Sequence, residues 1–151
     1  MKKITPFLWF DHQAEEAMNF YISIFKNSKI LNVSSGPNGV ASSVNFELEG
    51  QEFLAFNAGP HFKFNEAVSF FVDCQTQEEV DALWAKLSAG GEEGQCGWVK
   101  DRYGLWWQIV PSALGELLGD PDPVKAQRVM QAMLTMKKII IADLKQAYMG
   151  G

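Results

Sequence analysis

The sequence predicts an α+β fold in which two βαβββ modules are followed by C-terminal helices, and three observations support this. Apolar segments with the spacing of strand, helix, strand, strand and strand follow one another over residues 1–60. The same order returns over residues 65–111, which indicates an internal repeat. Residues 112–151 then have the apolar spacing of helices. We expect all 151 residues to form a single domain with these three parts.

The first module begins with a short apolar strand, Ile4 to Phe10, which ends at Asp11. Apolar residues then recur at helical spacing from Gln13 to Phe25. Three further strands complete the module, and turns that contain glycine separate them. The predicted strands are residues 30–34, 42–48 and 53–56, and the predicted turns are residues 36–39 and 49–50.

The second module begins with an apolar strand from Ala67 to Asp73, after which Thr76 caps a helix from Gln77 to Ala89. This helix aligns with the first one, so that Ala14-Glu15-Glu16-Ala17 lies over Gln77-Glu78-Glu79-Val80. The repeat therefore has a period of about sixty residues.

A hairpin over residues 96–111 ends the second module, with strands at 97–100 and 105–110. Its turn is Asp101-Arg102-Tyr103-Gly104, in which Gly104 can take a positive φ. Side chains alternate along a strand, so Trp106, Gln108 and Val110 share one face and Leu105, Trp107 and Ile109 share the other. A buried amide without partners costs roughly 1–3 kcal/mol. Gln108 is therefore predicted either to bond to neighbouring backbone or to point into a polar cavity.

The C-terminal segment is predicted to form helices at residues 112–118, 124–136 and 141–148, with a break at Gly119-Asp120-Pro121-Asp122-Pro123. These helices carry more apolar residues than a small appendage needs. Two interpretations stay open at this stage, a packed extension of the fold and a dimer arm.

Composition excludes several classes of function. A net charge of −5 and no basic run beyond Lys137-Lys138 argue against nucleic-acid binding. No apolar run reaches the ~18 residues of a membrane span, and no secretory signal is recognisable, so we expect no membrane partner and a cytoplasmic location. With only Cys74 and Cys96, we expect two reduced thiols and neither a disulfide framework nor a four-ligand zinc site.

The order of elements, the repeat and the segment from Asp101 to Pro111 resemble the vicinal oxygen chelate superfamily, which includes glyoxalase I, bleomycin-resistance proteins and extradiol dioxygenases. The PhnB-like branch, whose members are often described as 3-demethylubiquinone-9 3-methyltransferases, is the narrower likeness. The motifs that carry it are Phe20-Tyr21, Gly59-Pro60-His61-Phe62, Phe70-Phe71-Val72-Asp73, Gly90-Gly91, Cys96-Gly97-Trp98, Trp107-Gln108-Ile109-Val110-Pro111 and the C-terminal Met136-Lys137-Lys138-Ile139. The resemblance implies a curved-sheet, glyoxalase-like fold whose two modules enclose a cavity, and it favours a homodimer.

Metal-using members of this superfamily hold a divalent ion with one His, Glu or Gln on the first and last strand of each module. The resemblance places Pro6 at the first of these positions and Ala67 at the third, and neither side chain can bind a metal. The second position falls near Phe53, where Glu52 is the only carboxylate, and the fourth is Gln108. A neutral amide alone does not hold a catalytic divalent ion, so we predict no cofactor and no divalent metal.

The predicted ligand pocket combines the alternation of side chains with the resemblance. Phe10 and Trp106 are expected on the inward faces of their strands, while Trp9 and Trp107 face the helices. His61, in a crossover between the modules, is open to a ligand contact or to a structural role that includes a dimer seam. The full set of predicted pocket residues is Gln108, Trp106, Phe10, Leu8, His61, Phe53, Trp98 and Cys96.

Four functions remain open from the sequence. The leading one is a metal-free protein that binds a small, partly apolar molecule, either to sequester it or to act on it. The second is a metal-dependent lyase or dioxygenase that uses Gln108 with Glu52, His61 or residues of a partner subunit. The third is the methyltransferase of the branch, although the chain has no Gly-x-Gly-x-Gly turn for a nucleoside cofactor. The fourth is a dimeric structural module without a ligand.

Overall fold

The computed structural model of the chain describes residues 1–38 and 41–150. It divides into two compact units, Met1–Lys63 and Phe64–Gly151. Each unit contains a four-stranded mixed sheet, and the order of elements in each is strand, helix and three strands. The predicted α+β class with two βαβββ modules is confirmed. Gly39 of the predicted turn at 36–39 lies outside the described residues.

In its described residues the first unit has one helix and four strands, whose sheet order is β1-β4-β3-β2. These elements are β1 (Phe7–Phe10), α1 (Ala14–Ile24), β2 (Ser28–Ser35), β3 (Ala41–Leu48) and β4 (Gln51–Asn57). Strand β1 runs parallel to β4, and the other two pairs are antiparallel. The first strand is shorter than predicted, because Ile4 is 86% exposed and Pro6 has no N–H to donate. The Pro6 carbonyl oxygen still accepts a bond from the Leu54 N–H at 2.9 Å.

Helix α1 covers one face of this sheet. Tyr21 of the helix stacks on Phe46, and Phe46 stacks on Phe53 at 5.4 Å between ring centroids. Leu8 and Phe10 pair in register with Ala55 and Asn57, on the same face as Phe53. Leu8, Phe10 and Phe53 are 6%, 3% and 4% exposed, so they form the core beneath α1.

This arrangement corrects the predicted faces of β1. Trp9 pairs with Phe56 on the opposite face and contacts its ring at 5.0 Å, so the prediction that Trp9 faces the helix is wrong. The loop between the first strand and the helix has three residues in the first unit, 11–13, but only two in the second unit, 75–76. An alignment without a gap is therefore one residue out of step, and such a slip exchanges the two faces of a strand. The prediction that Leu8 and Phe10 point inward, toward a ligand pocket, is wrong for the same reason, because both side chains lie beneath α1.

The second unit has eight elements, and its sheet order is β5-β8-β7-β6. The elements are β5 (Ser69–Cys74), α2 (Gln77–Ser88), β6 (Glu92–Glu93), β7 (Trp98–Lys100), β8 (Trp106–Pro111), α3 (Ser112–Leu118), α4 (Pro123–Leu134) and α5 (Ile141–Met149). Thr76 caps α2 as predicted, since its hydroxyl accepts the Glu79 N–H at 3.2 Å. Val99, Trp107 and Ile109 are buried on the face that α2 covers. The predicted alternation along β8 is therefore confirmed, with Trp106 and Gln108 on the other face.

A buried carboxylate organises the predicted turn between β7 and β8. Asp101 is 2% exposed, and its Oδ1 accepts the backbone N–H groups of Tyr103 at 2.8 Å and Leu105 at 3.1 Å. Its Oδ2 accepts the indole N–H of Trp107 at 2.9 Å. Gly104 has the predicted positive φ, at +91°. The turn and the core face of β8 are thus held by one side chain.

The C-terminal helices pack on the second unit as an extension of its own core. Val129, Ile139 and Leu144 are fully buried in a cluster with Val110 and Leu114. The backbone N–H groups of Cys96 and Gly97, just before β7, donate to the carbonyls of Met136 and Lys137 at 2.7 and 2.8 Å. This turn and the cluster join the hairpin to the segment between α4 and α5. None of the helices in the described ranges is long and apolar enough to cross a membrane.

Two glycines of the hairpin offer a matched test of this junction. Gly97 has φ +86°, and a Cβ there would lie 2.9 Å from Ile139 Cδ1 and 3.0 Å from the Ile109 carbonyl oxygen. Gly104 has a similar φ but open space around a Cβ. We expect Gly104→Ala to lower the free energy of unfolding by about 1 kcal/mol through backbone strain. Gly97→Ala adds overpacking and should cost about 3 kcal/mol. Urea denaturation measures both, and equal losses would contradict the close packing of Gly97 on Ile139.

Candidate functional site

A cleft of about 600 Å³ lies in the second unit, on the sheet face away from α2. Its floor comes from β5, β7 and β8, and its wall comes from α3 and α4. The floor residues are Phe71, Asp73, Cys96, Trp98, Gln108, Val110 and Pro111, and the wall residues are Ser112, Leu114, Gly115, Glu116, Leu118 and Met133. A mostly apolar cleft of this size with a few polar groups is typical of small-molecule sites.

Gln108 is the polar group at the centre of the floor. Its amide Nε2 donates to Ser69 Oγ on the neighbouring strand at 3.0 Å, so its partner is a side chain rather than backbone. Its carbonyl oxygen accepts no hydrogen bond from any described residue. The side chain is therefore oriented by Ser69 while one acceptor remains available on the cleft face.

A second polar group lies where β5 ends and α3 begins. Asp73 Oδ1 accepts the Ser112 hydroxyl at 2.7 Å, and its Oδ2 accepts the Gln75 amide at 3.2 Å. Gln75 also donates to Ser112 at 3.1 Å. Sequence reasoning missed Asp73, Ser112 and Glu116 as site residues, because nothing in their spacing indicates that residues 39 apart meet.

The two cysteines differ in environment, and both are free. Cys96 lines the cleft, is partly buried and has a left-handed backbone with φ +57°. Cys74 is completely buried, and this burial raises the pKa of its thiol to about 12. One free thiol thus lies in the cleft and the other in the core.

Three of the predicted pocket residues, Gln108, Trp98 and Cys96, meet in this cleft. Trp106 shares the face of Gln108 and contacts Trp98 at 6.1 Å between ring centroids, but it does not line the cleft. The other four belong to the first unit. There Leu8, Phe10 and Phe53 form the core. His61 is exposed, and its ring centroid lies 6.4 Å from that of Trp9.

The donor atoms at the positions that the resemblance implied do not fit a divalent ion. Alternation places Phe7 rather than Pro6 on the sheet face opposite α1, and Ala67 precedes β5. Glu52 is 5% exposed and accepts the Lys2 backbone N–H at 3.0 Å, a hydrogen bond that holds the pKa of this carboxyl below its usual value. Among the residues in the described ranges, no group of three or more His, Cys, Asp or Glu side chains is arranged to hold a metal.

The fold defines the class of protein. Two units with the order βαβββ, each with its first strand parallel to its last, are the arrangement of the vicinal oxygen chelate superfamily. The fosfomycin resistance protein FosX from Listeria monocytogenes has this fold, with a TM-score of 0.60, 17% identity and coverage of 79% of this chain and 98% of that chain. Protein PA1353 from Pseudomonas aeruginosa is similar at a TM-score of 0.63, 15% identity and coverage of 74% and 98%.

A narrower relationship follows from residues 2–110, which match the model of the family described as 3-demethylubiquinone-9 3-methyltransferase. The PhnB protein from Bacillus cereus, which bears the same description, is 36% identical with a TM-score of 0.69. That match covers 73% of this chain and 99% of the other. The chain belongs to this PhnB-like family, as the sequence motifs predicted. No curated protein matches it.

The thiols provide a direct test of the cleft. A thiolate is the reactive form of cysteine, so the buried Cys74 should not react in the folded protein. We expect Ellman's reagent at pH 8 to modify one thiol in the native protein and two after unfolding. Cys96→Ser should abolish the native reaction. Reaction of Cys74 in the folded Cys96→Ser variant would contradict the described core.

Proposed function

We propose that this protein binds a small, partly apolar molecule in the cleft of its second unit. The observation that carries the proposal is the Gln108 carbonyl oxygen, which has no partner among the described residues and lies on the floor of an apolar cleft of about 600 Å³. A polar atom in such a place is matched by a ligand donor or by water.

The wall of the cleft supports this function through a glycine. Gly115 lies within α3, and a Cβ added there would meet no atom within 4 Å. Glycine inside a helix costs roughly 0.5–1 kcal/mol relative to alanine. Gly115 therefore gives up helix stability at a position that lines the cleft and has open space for a side chain.

We further propose that binding needs no cofactor and no divalent metal. The support is the donor set, since Gln108 and its partner Ser69 are neutral and no group of three or more His, Cys, Asp or Glu side chains in the described ranges is arranged to hold a metal. Divalent ions such as Mg²⁺ and Ca²⁺ take carboxylates in their coordination shells, and catalytic zinc takes three charged or imidazole ligands. Calorimetric titration with Mn²⁺, Ni²⁺ or Zn²⁺ is expected to give no tight one-to-one binding.

The family description names a methyltransferase, but no observation on this chain favours that activity. A nucleoside cofactor is usually held by a glycine-rich turn between a strand and a helix. The strand-to-helix loops at residues 11–13 and 75–76 contain no glycine. We therefore do not propose methyl transfer.

We also propose a homodimer and a cytoplasmic location. The free thiols support the location. For the dimer, the support is β2, an edge strand of eight residues on which Ile30, Leu31 and Val33 are 49%, 40% and 38% exposed. Exposed apolar edge strands are suited to pairing with another chain.

Sedimentation velocity tests the dimer. We expect a mass of about twice 16.9 kDa, because the exposed edge of β2 pairs with a second copy. Val33→Lys should shift the protein toward the monomer, while Val124→Lys on the exposed face of α4 should not. A monomer of the unaltered protein at high micromolar concentration would refute the proposal.

Filling the cleft tests the binding function. N-phenyl-1-naphthylamine, a neutral aromatic probe that fluoresces in apolar sites, is expected to bind the unaltered protein. Gly115→Trp should weaken this binding at least tenfold, because the indole occupies the cleft. The matched control is Ala85→Trp, which places the same side chain on the exposed face of α2 and should leave binding within twofold. Equal binding by the two variants would show that the probe does not bind in this cleft.

A further inference from the structure

We infer that the cleft selects organic cations, that is, small molecules with an ammonium group on an apolar body. This inference rests on the proposed binding function and adds the chemical class of the ligand. It is drawn from the charges, the hydrogen-bonding groups and the aromatic rings that line the cleft.

The charged side chains of the cleft are both acidic. Asp73 lies at the floor and Glu116 on the helical wall, and no Lys, Arg or His lines the cleft within the part of the chain that the structure describes. Glu116 has no cationic partner among those residues. Like charges repel a bound anion, while two unneutralised carboxylates attract a cation.

The hydrogen-bonding groups that line the cleft are mostly acceptors. Each carboxylate has about four lone-pair directions, and Asp73 uses two of them for Ser112 and Gln75. Those two donors fix the orientation of the Asp73 carboxylate. Gln108 uses one amide hydrogen on Ser69, and its carbonyl oxygen accepts no hydrogen bond from any described residue. An ammonium group has three donors and no acceptor, so it complements this set, whereas a carboxylate or phosphonate does not.

The apolar lining suits the remainder of such a molecule. Trp98 and Phe71 contribute aromatic rings, which attract a cation over their faces. Leu114 and Met133 form an apolar wall opposite the sheet. A ligand with an aromatic or aliphatic body can therefore bury that body while its charge stays near Asp73 or Glu116.

Part of the wall of the cleft lies outside the segment that matches the family model. The family model matches residues 2–110, whereas Gly115, Glu116 and Met133 belong to α3 and α4. The contribution of Glu116 is thus expected to depend on the C-terminal helices, whereas Asp73 lies within the matched segment.

Three probes that share a phenyl group separate the effect of ligand charge on affinity from the effect of apolar burial. They are phenethylamine, 2-phenylethanol and phenylacetate, titrated at pH 7 and followed by ligand-detected NMR. We expect the amine to bind about fivefold more tightly than the alcohol, and phenylacetate to bind most weakly. Glu116→Gln should remove most of the advantage of the amine over the alcohol. Glu78→Gln, which removes an exposed charge from α2 outside the cleft, should leave that advantage unchanged.

The outcomes distinguish this inference from the proposed function. Three results would overturn the selection of cations and leave the proposed function intact. The three phenyl probes could bind with equal affinity, phenylacetate could bind most tightly, or none of the three could bind to a protein that binds the naphthylamine probe. Loss of the amine advantage in the Glu78→Gln control also overturns it, because the effect is then one of net charge. If neither the naphthylamine probe nor the phenyl probes bind, the proposed function itself fails.

Discussion

The cleft depends on a short turn at Cys96 and Gly97, where the sheet of the second unit is fastened to its C-terminal helices. The backbone N–H groups of both residues bond to carbonyls of Met136 and Lys137, and the Gly97 carbonyl accepts the Ile109 N–H at 2.7 Å. The turn therefore belongs at once to the hairpin and to the link between α4 and α5. Since the floor of the cleft lies on the hairpin and part of its wall on α4, this turn fixes the separation of the two. The left-handed backbone at Cys96 and Gly97 is the conformation that lets the chain make both sets of bonds.

At the other end of the hairpin, the Asp101 carboxylate determines which side chains reach the cleft. Its three bonds hold the turn and the Trp107 indole together, so Trp107 is committed to the buried face. Gln108 then has to lie on the other face, because neighbouring residues alternate. A shift of one residue would bury the amide under α2 and expose Trp107 and Ile109. The buried carboxylate of Asp101 thus determines that a neutral amide lies on the cleft face of β8.

Much of this architecture follows from the sequence, and the exceptions have physical causes. The hairpin could be predicted because its turn chemistry at Asp101 and Gly104 fixes the register of β8. The side chains on each face of β1 could not be predicted, because one extra residue in the loop before α1 reverses the two faces. The pattern of apolar residues does not reveal the length of that loop. The contribution of Asp73, Ser112 and Glu116 escaped prediction because it depends on how α3 packs after β8. Such long-range packing is set by the apolar cluster around Ile139 and Leu144, whose members are remote in sequence.

A scaffold shared with metal-dependent enzymes can bind ligands by other means when its donor set changes. A divalent ion supplies positive charge inside its site, so it favours substrates with anionic or adjacent carbonyl oxygens. This cleft has the opposite character, since Asp73, Glu116 and the Gln108 oxygen are all acceptors. Such acceptors are complementary to donors on a ligand, and the acidic side chain of Glu116 on α3 strengthens that preference. The C-terminal helices therefore do more than extend the core, because they supply one of the two carboxylates of the cleft and the open position at Gly115.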